Sequence, residues 1–322
     1  MKLDLKLYRG YANDRELVVF GHVFKSRSPD AYEYDKKKLR HALTIIQIFR
    51  VKPVNNVEVE LDFKGTKVKT KTMEDGYFRF NVPFDQEIKS GWHTYTVSAN
   101  CDGDISTAQG ELLKPYKSKV GIISDIDDTF LVSHSNNIFK KLYVMLTRNI
   151  DRRKIFDDVV EHYKQLSIAG QDAKEASNSF FYVSSSEWNL YEFIERFARK
   201  NELPKAVIKL KKLKTGLRDF VKTGRGDHDH KFTKIQDIIS FYPLIDYVLL
   251  GDDSQQDPNI YERICKTFPK NIRAVYIRQT GSKQNENTKK ALKNIESMDV
   301  STCYFKKSSI ALRHSKEVGI IK

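Results

Sequence analysis

The sequence predicts an α/β protein in which a doubly wound parallel sheet is preceded by a β-sandwich. Three observations predict it: apolar residues that alternate before Pro115, short and wholly apolar runs separated by helical segments after it, and acidic or hydroxyl residues directly behind several of those runs. The 322 residues exceed the usual size of one domain, which agrees with two units, residues 1–115 and residues 118–322, meeting near Lys114-Pro115.

In the first unit, Val57, Val59, Leu61 and Phe63 share one face of an extended segment while Glu58, Glu60 and Asp62 share the other, the period of a half-buried strand. Asp75-Gly76 in KVKTKTMEDGYFRFNV and Asp102-Gly103 in HTYTVSANCDGDISTAQGELL each place a turn dipeptide between strand-like runs. Several short strands with such turns read as a sandwich. One stretch departs from this pattern: YDKKKLRHALTIIQIF spaces Leu39, Leu43 and Ile46 at helical intervals, which predicts a basic helix inserted into the sandwich.

In the second unit, VGIIS (120–124), FFYV (180–183), AVIKL (206–210), DYVLL (246–250) and RAVYI (273–277) have the continuous apolar character of strands buried on both faces, with STCYF (301–305) as a sixth. EWNLYEFIERFARK and HKFTKIQDIISFY between them carry helical spacing. A sheet built this way binds ligands outside the carboxyl ends of its strands.

Composition narrows the class of ligand. A formal charge of +14 directs the protein toward anions: phosphorylated substrates, phospholipid headgroups or nucleic acid. Cys101, Cys265 and Cys303 are widely spaced and odd in number, as in a reducing compartment, and exclude a CxxC zinc site. MKLDLKLYRG contains no apolar core of a secretory signal, and no run reaches membrane-spanning length, so the expected location is cytoplasmic.

The residues behind the strands carry the chemistry. Asp125, Asp127 and Asp128 follow the first run in GIISDIDDTFLVSHS; a calcium loop is excluded because its sixth and twelfth positions are Phe130 and Asn136 rather than Gly and Glu. Ser184, Ser185 and Ser186 follow the second run, just before a helix beginning near Trp188, where hydroxyls and free N–H groups would make an anion site. Lys231 opens a later helix, and Asp252, Asp253 and Asp257 follow the fourth run in GDDSQQDP. Each feature alone has an ordinary structural reading: a solvated turn, an N-cap, a Gly-Asp turn. RGDHDHK (225–231) offers His228 and His230 without a distant third ligand, so an exposed polar loop is preferred there to a metal site. For Trp188 and Tyr191 the preferred reading is core packing.

Taken in order, DxDxT, Ser, Lys and GDxxxxD resemble the motifs of the haloacid dehalogenase superfamily of phosphotransferases. SSSEWNLYEFIERF, LPKAVIKL, HKFTKI, LLGDDSQQDPNIYERI, AVYIRQ and HSKEVGIIK are similar to the catalytic domain of the actin patch phosphatidate phosphatase family, from about residue 118 to the end. Asp253 stands where that family usually has Ser. The resemblance implies a Mg²⁺-dependent phosphatase, most directly of phosphatidate to diacylglycerol and phosphate. Asp125 is then the nucleophile, forming an aspartyl-phosphate and touching the metal. Asp127 is the general acid and a backbone metal ligand, and Asp252 closes the metal shell with Asp257 or Asp253. Ser184, Ser185 and Lys231 take the phosphoryl oxygens, with Lys234 as the fallback lysine; Thr129 braces the loop and Asp128 has no assigned chemistry. The competing readings are a phosphatase of a soluble metabolite and a non-catalytic anion-binding module.

Lys205, Lys209, Lys211, Lys212, Lys214, Arg218, Lys222 and Arg225 face a single acid, Asp219, across residues 205–225. A solvated basic face and a peripheral dock on an anionic bilayer are the two readings, each cation near such a surface contributing about 1 kcal/mol. Nucleic acid is disfavoured because Phe220 is the lone stacking residue in the run.

Overall fold

The computed structural model describes residues 2–25, 51–116, 120–126, 159–171, 177–211 and 229–322. The inserted basic helix, Asp127, Asp128, Thr129, His228 and the basic residues from Lys212 to Arg225 lie outside the described residues.

The first seven strands are β1 (Leu3–Ala12), β2 (Glu16–Lys25), β3 (Glu58–Phe63), β4 (Thr66–Lys71), β5 (Tyr77–Pro83), β6 (Gly91–Cys101) and β7 (Asp104–Lys114). They form one sheet in the order β4-β3-β6-β7-β1-β2-β5, in which only β1 and β7 run parallel. The alternation read from residues 57–63 is present: Val57, Val59, Leu61 and Phe63 are all buried. Asp102 and Gly103 join β6 to β7 with φ of 52° and 89°, the pair of left-handed residues that a two-residue hairpin turn needs. The two edge strands of the sheet, β4 and β5, approach each other, so the sheet is almost closed. Strands of ten and eleven residues accumulate enough right-handed twist to bring its ends together.

The second sheet contains β8 (Val120–Ser124), β9 (Ser179–Glu187), β10 (Ala206–Lys211), β11 (Asp246–Asp252), β12 (Ile272–Arg278) and β13 (Ser301–Phe305). All its pairings are parallel and its order is β10-β9-β8-β11-β12-β13. The order therefore reverses between β8 and β11, where a crevice opens beyond the carboxyl ends. Helices α1 (Val159–Ile168), α2 (Tyr191–Lys200), α3 (Asp229–Phe241), α4 (Asp257–Thr267), α5 (Glu286–Glu296) and α6 (Ser308–Glu317) accompany the strands. α1 packs on α6, while α3, α4 and α5 pack in series, and the central strand β8 between these two groups is buried throughout. Among the described residues no helix is long and apolar enough to cross a membrane.

One difference from the sequence reading concerns the serines. β9 continues through Ser184–Ser186 to Glu187, and a single 3₁₀ turn (Trp188–Leu190) separates it from α2, so the hydroxyls end a strand rather than open a helix. The register shifts there, Lys209 pairing with Val183 and then Lys211 with Glu187, so the extra residues lie in β9 and the ladder extends past the serines.

The two sheets share a core. Tyr8, Tyr11, Val18, Phe20 and Leu113 belong to the same buried cluster as the strands of the parallel sheet. Tyr8 stacks on Trp188 with centroids 4.2 Å apart, Arg9 donates its backbone N–H to Tyr191 Oη at 2.9 Å, and Tyr242 donates its hydroxyl to the Ala12 carbonyl at 3.0 Å. Trp188 and Tyr191 are thus core residues, the reading preferred from sequence. The same seam corrects part of the docking expectation. Lys205 bonds Glu111 at 2.7 Å and lies 4.3 Å above the Trp92 ring, and Lys209 is buried with its ammonium on Tyr11 Oη at 3.0 Å. Lys209 is not available to a bilayer, because it is buried against the first sheet.

Candidate active site

Asp125 is the first residue beyond β8, and its N–H donates to Leu250 O of β11 at 2.8 Å, which fixes it on the reversal of strand order. Ser124 Oγ donates to the Asp125 carbonyl at 2.7 Å and meets Tyr163 Oη of α1 at 2.7 Å, so the turn is supported from beneath. Asp252 ends β11 and Asp257 begins α4, with Pro258 in the first turn. All three aspartates are buried, and one carboxylate oxygen from each lies within 4.8 Å of the others. Gly251 makes the approach of Asp257 possible: a Cβ there would stand 2.6 Å from Asp257 Oδ2.

Lys231, in the first turn of α3, reaches into this group. Its Nζ is 2.9 Å from Asp125 Oδ1 and also bonds Asp257 Oδ1. Burial alone would depress the ammonium, but the charges of Asp125 and Asp257 outweigh it and hold the pKa well above the ordinary lysine value. Burial and the Asp257 charge push Asp252 well above the usual carboxylate range, against the opposing bond from the Ser254 N–H at 2.5 Å. Three carboxylates lie together and one ammonium bonds two of them, leaving an excess of negative charge suited to a hard cation with oxygen ligands.

The structure separates residues that the sequence left level. Asp253 turns away from the group: Oδ1 accepts from the Thr280 N–H at 2.8 Å and hydroxyl at 2.6 Å, and Oδ2 accepts from Tyr304 Oη at 2.5 Å. Asp257, not Asp253, joins Asp125 and Asp252. Ser184 lies two residues beyond the Ser124–Tyr182 pair, at the same edge as Asp125; it is buried, and its Oγ accepts from the Ser186 N–H at 2.9 Å, while Ser185 is half-buried. Lys234 lies one turn past Lys231 on α3, with no bond to the aspartates. His230 is not part of the acidic group, which among the described residues comprises the three aspartates alone.

Arg278 was not singled out from sequence. It pairs in register with Asp252, is 1% exposed, and rests its guanidinium on Phe305 at 4.8 Å and on Ser308 Oγ at 2.7 Å. Burial pulls its pKa down to about 10, with Tyr163 and Asp252 opposing. The available signal was a charged residue at the end of the apolar run RAVYI.

Residues 120–279 match the family described as phosphatidate phosphatase APP1, catalytic domain. They belong to that family. The matched span contains Asp125, Ser184, Lys231, Asp252 and Asp257 and ends one residue after Arg278. Phosphatidate phosphatase APP1 of Saccharomyces cerevisiae is 24% identical over 248 residues, which cover 72% of this chain and 40% of the yeast protein. The chain thus spans well under half the length of this relative of the APP1 family. Among solved structures, a carbohydrate acetylesterase from Xanthomonas citri aligns with 9% identity and a TM-score of 0.34, covering 98% of this chain and 75% of that one. A bacterial ice-binding adhesin aligns with 13% identity and a TM-score of 0.22, covering 37% and 34%. Neither likeness supports an argument about fold or activity.

Proposed function

We propose that this protein is a phosphatase that hydrolyses a phosphomonoester, with phosphatidate as the leading substrate, through a haloacid dehalogenase-type arrangement of its parallel sheet. The observation that carries the reading is the grouping of Asp125, Asp252 and Asp257 at the reversal of strand order, with Lys231 bonded to Asp125 and Asp257, inside the family-matched residues. The oxygen-only donor set fits Mg²⁺, which Asp125, Asp252 and Asp257 would hold; when bound it neutralises the phosphate dianion so that a carboxylate can approach phosphorus.

In this reading Asp125 attacks the phosphorus, the bond to the ester oxygen breaks, and the leaving oxygen takes a proton from Asp127. Asp127 then removes a proton from water, the water oxygen attacks phosphorus, and the bond to Asp125 breaks to release inorganic phosphate. Lys231, whose charge is secured by two carboxylates, stays cationic at working pH and offsets negative charge on the phosphoryl oxygens. The Ser184 hydroxyl would bind one of those oxygens. With Lys209 buried in the seam, any dock on an anionic bilayer falls to Lys205, Lys211 and the basic residues after it.

The test is Asp125→Asn, which preserves volume while removing the nucleophile. Turnover of phosphatidate and of aryl phosphate is expected to fall at least about a thousandfold while the native fold is retained. Chelation by EDTA should silence the parent protein, and Mg²⁺ should restore it better than Ca²⁺. Retained turnover in Asp125→Asn would end this mechanism.

A further inference from the structure

Three carboxylates meet at the carboxyl edge of the parallel sheet, and the Lys231 ammonium together with one divalent cation would balance them. That balance is complete before any substrate arrives, so a phosphomonoester dianion entering the group needs a countercharge from elsewhere. Arg278 is not placed to give it. Its guanidinium is committed to Ser308 and Phe305, on the side of β11 away from β9, the strand that carries Ser184.

Lys234 is placed to give it. It follows Lys231 by three residues on α3, and a long side chain in a helix leans back toward the N-terminus, here toward the first turn and Lys231. The helix packs on β9, whose end brings Ser184 to the same edge of the sheet as Asp125. Lys231 is bracketed by Asp125 and Asp257, whereas the Lys234 ammonium nitrogen is hidden from solvent and has no hydrogen-bond partner. Burial, then Lys231, then Lys211 push its pKa down to about 7. The charges that act on it are thus positive, and a buried donor among like charges calls for an anion, whose arrival favours the ammonium form.

We propose that Lys234 is a second phosphoryl-binding residue, which takes a phosphate oxygen on the β9 side of the group, next to Ser184, while Lys231 takes one over Asp125. This assignment rests on the phosphatase reading for the identity of the anion. It gives the phosphate dianion of phosphatidate two ammonium groups rather than one, and it makes no demand on the glycerol or the acyl chains. Lys234 contributes charge alone: the bonds formed and broken remain those joining phosphorus to Asp125, to the ester oxygen and to water.

Inorganic phosphate is the binding probe, and p-nitrophenyl phosphate and phosphatidate in detergent micelles are the turnover probes, all with Mg²⁺ present. In Lys234→Met, calorimetric affinity for phosphate is expected to fall about tenfold to a hundredfold, the loss of one charge-assisted bond. KM for both esters should rise by a similar factor, with kcat reduced less. Lys234→Arg should recover part of each loss, and Lys234→Gln carries the same test if Lys234→Met does not fold. Mg²⁺ affinity without phosphate should stay within about threefold of the parent, because Lys234 shares no bond with the aspartates. A joint loss of Mg²⁺ and phosphate affinity would make Lys234 a support of the fold and overturn the assignment. Phosphate affinity in Lys234→Met equal to the parent's would overturn it too, and turnover by the parent would then leave the phosphatase reading standing. A parent that binds phosphate through Lys234 yet turns over no ester would remove the phosphatase reading and keep the phosphate position.

Discussion

Lys231 and Lys209 are both buried, at 2% and 7% exposure, yet their ammonium groups are driven in opposite directions. Lys231 stands between Asp125 and Asp257, whose charges outweigh burial and raise its pKa. Lys209 has the hydroxyl and ring of Tyr11 and the ring of Phe20, at 4.3 and 4.7 Å, and burial takes it down to about 7. Burial therefore does not mark a working cation; carboxylates held against it do. The seam between the sheets tolerates Lys209 by letting it lose its proton, while the candidate active site retains the charge of Lys231 by surrounding it with negative oxygen.

The strongest way to break this contrast is Lys231→Met. Removing the cation leaves buried carboxylates facing one another, a situation that costs about 3–5 kcal/mol in comparable ion pairs. Denaturant unfolding should register that loss, and phosphoester turnover should fall at least about a hundredfold. Added Mg²⁺ should recover more stability in this variant than in the parent, because it replaces the missing positive charge. As the Lys231 pKa is raised, its contribution is complete below the unfolded lysine value near 10.5 and fades only as pH rises through the higher folded value. Across neutral pH the effect should be flat.

Lys209→Met should act in the opposite sense. An apolar side chain of similar length removes a poorly compensated charge and is expected to stabilise by about 1–4 kcal/mol in acid. The sign with pH follows from the lowered pKa. Below about 7 the folded parent must keep a buried proton, so the penalty is complete; between 7 and 10.5 the unfolded chain binds the extra proton and the parent regains stability. The advantage of Lys209→Met should thus shrink as pH rises, by up to about 1.4 kcal/mol per pH unit, in urea titrations from pH 6 to 10. A constant difference would mean that Lys209 keeps its charge in the seam.

Gly251→Ala perturbs the carboxylate side of the comparison without touching a charge. The new Cβ would meet Asp257 Oδ2 at 2.6 Å and the Tyr261 ring at 2.9 Å, so Asp257 must retreat from Asp125 and Lys231. Overpacking of this kind costs about 1–3 kcal/mol. Mg²⁺ affinity measured by calorimetry should weaken with it, since one of the three converging oxygens moves away. Unchanged affinity would remove Asp257 from the proposed metal shell.

These contrasts also mark what the sequence could and could not show. The six parallel strands were legible because burial on both faces demands continuous apolar runs, and Asp125, Asp252 and Lys231 were legible because they sit directly behind such runs or open a helix. Lys209 was not. It reads as one charge in a basic run, but its place on β10 sends it against Tyr11, which is 198 residues away in the chain. The closure of the first sheet was equally hidden, since strand spacing records neither the order β4-β3-β6-β7-β1-β2-β5 nor the twist that joins its ends. Asp253 and Asp257 were indistinguishable for a similar reason: what separates them is a missing Cβ at Gly251 and hydroxyl partners at Thr280 and Tyr304.

Asp253→Ser gives the smallest expected effect and the sharpest view of that last distinction. Asp253 follows Asp252 directly, yet its two oxygens are committed to Thr280 and Tyr304, so its carboxylate ties β11 to the loop after β12 and to β13 rather than facing Asp125. A serine hydroxyl can retain the bond from the Thr280 N–H but cannot also reach Tyr304, and the site is half open to solvent, so the loss should be about 1 kcal/mol. Tyr304, raised to about 12 by burial and by its bond to Asp253, should ionise earlier in the variant. Because a raised tyrosine pKa contributes stability that is complete below about 10 and lost as pH rises through the folded value, the variant should lose less stability than the parent between about pH 10 and 12. Turnover and Mg²⁺ affinity should stay within about threefold of the parent, whereas Asp257→Asn should impair both far more. If Asp253→Ser instead matched Asp257→Asn in lost affinity and turnover, Asp253 would have to leave Thr280 and Tyr304 to serve the metal, and the division of labour between these neighbouring acids would be wrong.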